Sequence, residues 1–149
     1  MKKITLLLAL TFGIFTSCDS KKALVPSGSQ SLEGNWELNY ISGPRIAFEG
    51  LYPNDKPNIT FNIKENLVMG KNSCNSYTGN FKADANKITF NEAGMASTKM
   101  FCEGQGESTY MTTLAKINAY SISEDGKTLT LLTGDVAMMR FERKYAVRH

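Results

Sequence analysis

The chain has 149 residues, 42% hydrophobic and 21% charged, with 17 basic and 14 acidic side chains for a formal net charge of +3. That length supports one domain with a single core and no need of a structural metal. So small a charge excludes a broad nucleic-acid footprint, which demands clustered Lys and Arg. The single histidine, His149, is the last residue, which removes Ser-His-Asp and Cys-His mechanisms and leaves metal binding without support.

The N-terminus carries export information. Met1-Lys2-Lys3 is followed by the apolar run Ile4 to Phe15 and the small residues Thr16-Ser17, the layout of a secretory signal. The run is shorter than the roughly 20 apolar residues of a spanning helix. Phe15-Thr16-Ser17-Cys18 resembles a bacterial lipobox, with Phe15 in place of the more usual Leu. It predicts a lipoprotein signal peptide over residues 1–17 and lipidation of Cys18. Two or three acyl chains on one residue anchor stably, because each buried methylene contributes about 0.8 kcal/mol. The expected location is the bacterial cell envelope, membrane-anchored on the periplasmic face or the cell surface. Removing residues 1–17 takes Lys2 and Lys3 and no acid, which leaves 15 basic against 14 acidic side chains.

Residues 18–33 read as a lipid-anchored flexible tether, with Lys21-Lys22 and then Pro26-Ser27-Gly28-Ser29-Gln30-Ser31. A flexible stretch of this length has an r.m.s. reach of roughly 20 Å. The folded domain is assigned to 34–149, with apolar content rising from Leu32.

From there the pattern is mostly of period two. Trp36, Leu38 and Tyr40 alternate with Glu37 and Asn39, and Ile59, Phe61 and Ile63 with Thr60 and Asn62; each set predicts a strand with one buried face. Gly43 to Pro57, with Pro44, Gly50 and Pro53, is a long irregular connection whose Phe48 and Tyr52 make it the candidate contact surface. Shorter strands are predicted at 67–70, 76–82, 87–91, 119–123, 128–132 and 136–143. Turn chemistry at Lys64-Glu65-Asn66, Asp84-Ala85-Asn86 and Glu124-Asp125-Gly126-Lys127 joins neighbours as hairpins. Between Glu107 and Asn118, Tyr110, Met111, Leu114 and Ile117 recur at three- and four-residue spacing and predict one amphipathic helix. The fold class expected is mainly β: a curled or closed antiparallel β-barrel-like sheet of about eight strands with one packed α-helix, closure removing aggregation-prone edges. A flat two-layer α+β sandwich is the alternative.

Two segments carry a family resemblance. Cys74-Asn75-Ser76-Tyr77-Thr78-Gly79-Asn80-Phe81 and Ser97-Thr98-Lys99-Met100-Phe101-Cys102 resemble the META domain, the HslJ-like family, whose pattern has Cys-Asn, an aromatic, Gly and then Thr-basic-Met-x-Cys. Trp36-Glu37-Leu38, Ile59-Thr60-Phe61, Leu114 and Leu129-Thr130-Leu131 add support over roughly 34–143. The motif residues are thus Asn75, Tyr77, Gly79, Thr98 and Met100 with the two cysteines; Ser73 stands where Gly is frequent. The resemblance implies a small barrel-like fold with one helix, often on an envelope lipoprotein, and an association with heat-shock and antibiotic stress. No catalytic activity is settled for the family.

With Cys18 lipidated in an oxidising compartment, Cys74 and Cys102 remain as a pair. Either they form a disulfide, whose closed loop would stabilise the fold by roughly 3.5 kcal/mol, or they are two buried, inert thiols. Asn75 to Gly79 read as a structural turn rather than a recognition loop. Met95, Met100, Met111, Met138 and Met139 read as core filling rather than a copper site. Glu103 and Glu107, four apart, could act as acid and base only in a cleft; otherwise they are solvated charge near a helix N-terminus. The expected function is non-catalytic, with no cofactor and no metal: a stress-related accessory or interaction module whose partners are the membrane and an unidentified envelope protein. The alternative is a carrier of a small apolar ligand inside the barrel.

Overall fold

The structure, a computed structural model, describes residues 31–145. The signal peptide, Cys18 and its lipidation, residues 19–30 and His149 lie outside the described residues. Among these residues nine strands and two α-helices follow in the order β1 (Gly34–Ile41), α1 (Phe48–Leu51), β2 (Asn58–Asn62), β3 (Leu67–Lys71), β4 (Ser76–Asp84), β5 (Lys87–Phe90), β6 (Ala96–Ser97), α2 (Gly106–Leu114), β7 (Ala119–Ile122), β8 (Thr128–Thr133) and β9 (Val136–Lys144), with one turn of 3-10 helix, Glu92–Gly94, between β5 and β6. Eight strands close into a barrel, β1-β2-β3-β4-β5-β7-β8-β9 and back to β1, every pairing antiparallel. The two-residue β6 lies outside this circuit, paired with Tyr77 and Thr78 of β4. The fold is therefore the mainly β barrel with one packed helix that the alternation predicts, closed by pairing of β3 with β4.

Alternation builds the core, because successive side chains of a strand point to opposite faces. Trp36, Leu38, Phe61, Tyr77, Phe81 and Phe141 are all buried, and together they occupy the barrel interior. Two expected inward residues face out. The register of β1 against β9 shifts between Leu38 and Tyr40, a bulge that turns Ile41 inward and leaves Tyr40 exposed. Ile63 follows the last residue of β2 and is exposed in the turn to β3.

The helix is shorter than its periodicity suggests. It ends at Leu114, and the N–H groups of Lys116 and Ile117 donate to Thr113 and Leu114, three residues back. This tightening releases Asn118 to donate its backbone N–H to Leu132 and lead into β7. In the hairpin after β4, Ala85 rather than Asn86 takes the positive φ, at 51°.

Because the barrel strands alternate in direction, connections alternate between its ends. One end carries chain entry at Ser31 and the turns 63–66, 84–86 and 123–127. The opposite rim carries 42–57, 72–75, 91–118 and 134–135. The entry end is sealed by Arg143, whose guanidinium lies 4.0 Å from the Trp36 ring centroid and donates to Ser31 O, Glu33 O and Gly126 O. Trp36 Nε1–H donates to Leu32 O at 2.9 Å, and Leu32 is buried. Residues 31–33, placed in the tether by composition, are thereby bound to the barrel.

Candidate functional site

The rim is organised around the turn from β3 to β4. Asn72 N–H donates to Asn75 O at 3.0 Å, and Ser73 between them has φ 144°, in the range that favours glycine. A glycine preference at this position in the resembled pattern thus has a backbone cause. Cys74 is disulfide-bonded to Cys102, their Cα atoms 5.8 Å apart, which decides the sequence alternative in favour of the bridge.

Asn75 is buried and uses both ends of its amide. Its Oδ1 accepts from Thr98 Oγ1 at 2.6 Å and from Met100 N–H at 2.9 Å. Its Nδ2 lies 3.0 Å from each of Met100 O, Cys102 Sγ and Glu107 Oε2. Thr98 also accepts from Ser76 N–H through Oγ1 and donates its own N–H to Ser76 O. One side chain in the β3–β4 turn, just before β4, therefore fixes the whole 98–102 segment and ties the two motifs together.

Glu107, in the first turn of α2, sits half-buried beneath this clamp. It also accepts from Asn72 Nδ2 at 3.4 Å, whereas the buried Asn72 Oδ1 has no partner among the described residues. Glu103 and Glu107, four apart, do not act as a pair: Glu103 is exposed, whereas Glu107 joins the motif through Asn75. Its acidic character at a helix start was the available signal. Cys74, Cys102 and Glu107 lie within metal-ligating distance of one another, but the two sulfurs are bonded to each other and offer no thiolate.

The remaining motif residues have packing roles. Tyr77 and Tyr110 are buried with their hydroxyls 2.7 Å apart, and Tyr77 OH donates to Asn58 O at 3.1 Å. Burial pushes both hydroxyls well above the usual tyrosine value. Gly79 is small because Met95 packs over it: an added Cβ would collide with the Met95 sulfur. Asn75 to Gly79 thus serve the fold rather than recognition, but only Asn75 lies in the turn; Ser76 to Gly79 belong to strand β4. Met100 does not fill the core as expected. Met95, Met111 and Met138 pack against the core and Met139 is within it, but Met100 is 59% exposed and contributes its backbone alone to the clamp.

Exposure at the rim is also not where the loop composition put it. Tyr52 is buried, its hydroxyl donating to Gly106 O at 3.1 Å and pushed by burial up to about 12. Phe48 is half-buried against Tyr52, their ring centroids 5.2 Å apart. The protruding aromatic is Phe101, 93% exposed. Beside the disulfide lies a cleft of about 390 Å³ lined by Leu51, Asp55, Ser73, Cys74, Cys102 and Glu103 among others. No helix among the described residues is long and apolar enough to cross a membrane.

A closed eight-stranded antiparallel barrel, packed inside by its own side chains and locked at one rim by a disulfide and a buried asparagine, defines the class. The chain belongs to the META-domain family, whose model matches residues 30–145. Solved structures agree in fold. The NMR structure of a protein from Burkholderia xenovorans is 19% identical with a TM-score of 0.60, over 97% of this chain and 99% of the other. A DUF4847-family protein from Bacteroides vulgatus ATCC 8482 is 16% identical with a TM-score of 0.52, over 76% and 94%. A third, described as an NMR structure of a protein, is 20% identical with a TM-score of 0.54, over 80% and 95%. No curated protein matches the chain.

Proposed function

We propose that this protein is a non-catalytic, lipid-anchored accessory or interaction module of the bacterial cell envelope, acting in stress tolerance. The observation that carries the reading is the use made of the motif. Asn75, Tyr77, Gly79 and Thr98 are each committed to holding the rim or packing the core, which leaves the motif without a free nucleophile or base. The rim they lock presents Met100 and Phe101 outward, and a rigid exposed aromatic is the usual anchor of a protein contact. The lipobox at Cys18 supplies the anchor. With chain entry at the opposite end of the barrel, the rim faces away from an attachment there. A carrier of apolar ligand has less support, because the aromatic side chains would have to leave the interior to admit one.

The test has two arms. Metabolic labelling with a clickable fatty acid is expected to mark the wild-type chain and not Cys18→Ala; an unlabelled wild type overturns the anchor. A photo-reactive residue at position 101 in growing cells is expected to give discrete cross-linked products that contain an envelope protein other than this chain, and deletion to sensitise cells to heat or antibiotic. An absence of both products and phenotype overturns the accessory role.

A further inference from the structure

Phe101 has a counterpart on the same molecule. Between α2 and the connection from β5 to β6 lies an apolar cleft of about 280 Å³, lined by Phe90, Met95, Met111, Thr112 and Ala115, with Glu92 at its lip. It is roomy enough for one aromatic ring, and methionine walls adapt to what enters. We propose that the chain forms a reciprocal dimer in which Phe101 of each copy seats in this cleft of the other.

Three observations favour a second copy as the occupant. The knob is set in place before binding: Met100 N–H and C=O are held by Asn75, and Cys102 is fixed by the disulfide, so little order remains to be lost. Charge is complementary, since Lys99 flanks the knob and Glu92 the cleft, both exposed and neither in an ion pair among the described residues. The 98–102 segment carries one Lys and no Arg, and Glu103 beyond it lines the other cleft, beside the disulfide, whereas an anionic lipid surface rewards clustered Lys and Arg. A contact in which residue i meets j and j meets i closes on a two-fold axis and stops at two copies. Two aromatic anchors bury less than the roughly 1,200 Å² of a stable interface, so the dimer is weak and its occupancy depends on local concentration. This inference stands whether or not Cys18 is lipidated.

Sedimentation equilibrium of the full chain in density-matched detergent tests it. Wild type is expected to show a monomer–dimer equilibrium below about 1 mM. Phe101→Ser and Thr112→Arg both alter exposed positions that the fold does not need, and each is expected to weaken association at least about tenfold. Mixing the two variants is the decisive measurement: Phe101→Ser keeps an intact cleft and Thr112→Arg an intact knob, so the mixture restores one of the two contacts and associates more tightly than either alone. Lys99→Glu and Glu92→Lys are each expected to weaken the dimer by about threefold, and together to restore it. A wild type that stays monomeric to about 1 mM overturns the proposal. So does a dimer indifferent to both cleft and knob variants, or a mixture without rescue. Phe101-dependent co-sedimentation with phosphatidylethanolamine–phosphatidylglycerol vesicles by a chain that does not dimerise would assign the knob to a lipid surface instead.

Discussion

Asn75 and Thr98 are joined side chain to side chain across the rim, Thr98 Oγ1 donating to Asn75 Oδ1 at 2.6 Å. Two segments far apart in sequence thereby become one unit, because the same amide also holds Met100 N–H and C=O.

Removing that amide therefore costs more than one hydrogen bond. Asn75→Ala leaves Thr98 and both Met100 backbone groups without their partner and opens a void, and a loss of about 3 kcal/mol is expected in urea unfolding. Asn75→Asp keeps the shape but sets a carboxylate against Glu107, whose Oε2 is 3.0 Å from Asn75 Nδ2. Like charges so close cannot both ionise without cost. The deficit of Asn75→Asp relative to wild type is expected to narrow as pH falls from 7 towards about 4, where one carboxyl takes a proton. A pH-independent deficit would refute the charge explanation.

How far the sequence disclosed this arrangement depends on the range of the forces involved. The strands around Trp36, Phe61 and Phe141 were legible because inside and outside alternate with the pleat, and one-residue patterns survive in any context. The bulge that exposes Tyr40 was not, since it comes from the register of β1 against β9, a relation between residues about a hundred positions apart. The motif residues were legible as types, and Asn75 and Gly79 were correctly assigned to structure. Their partners were not: Glu107 joins through α2 and Met95 through the connection after β5, contacts that no local sequence pattern specifies. The aromatic at the surface was misplaced for the same reason. Tyr52 lies in a polar, proline-rich loop that looks solvated, but one turn of helix, Phe48–Leu51, folds that loop against the start of α2.

The disulfide should dominate thermal stability. Cys74→Ser with Cys102→Ser releases the closed loop in the unfolded chain, a loss of about 3.5 kcal/mol on the chain-entropy account. For a domain of this size that is a fall of roughly 10–15 °C in Tm. Alkylation under denaturing conditions is expected to add no label at these two positions before reduction and two labels after it. Two labels before reduction would mean that the bridge does not form.

Ser73 adopts φ 144° without a glycine's freedom. Ser73→Gly is expected to raise stability by about 1 kcal/mol, the relief of the strained backbone exceeding the added entropy of the unfolded chain. Ser73→Ala should give no gain, since it has the same Cβ. The denaturant midpoint at constant m-value measures both; equal midpoints for Gly and Ala would remove backbone strain as the cause.

Alkaline pH should unfold the protein through its buried tyrosines. Desolvation raises Tyr52 to about 12 and holds Tyr77 and Tyr110 well above their ordinary value near 10. Above pH 10 the unfolded chain releases these protons while the folded one keeps them. The unfolded state then binds fewer protons, so stability falls as pH rises. The contribution is full below pH 10 and declines steadily towards pH 12, past the folded value of Tyr52. Tyrosinate absorbance near 295 nm is expected to appear in two phases, exposed residues first and the buried set together with loss of the β-sheet circular dichroism signal. Titration of all tyrosines before unfolding would contradict the buried hydroxyl pair.

Trp36, the only tryptophan, reports on the opposite end of the barrel. It is fully buried beneath Arg143, so its emission is expected to be blue-shifted and resistant to iodide. Arg143 reaches three carbonyls at once, on Ser31, Glu33 and Gly126, with bonds of 2.6–2.8 Å. A planar fork can span them and a single ammonium cannot. Arg143→Lys is therefore expected to lose most of what Arg143→Ala loses, about 2–3 kcal/mol, despite keeping the charge. In both variants residues 31–33 should become a site of early proteolysis and Trp36 emission should shift to the red. Full retention of stability in Arg143→Lys would show that charge over the Trp36 ring, rather than the fork, holds the chain entry to the barrel.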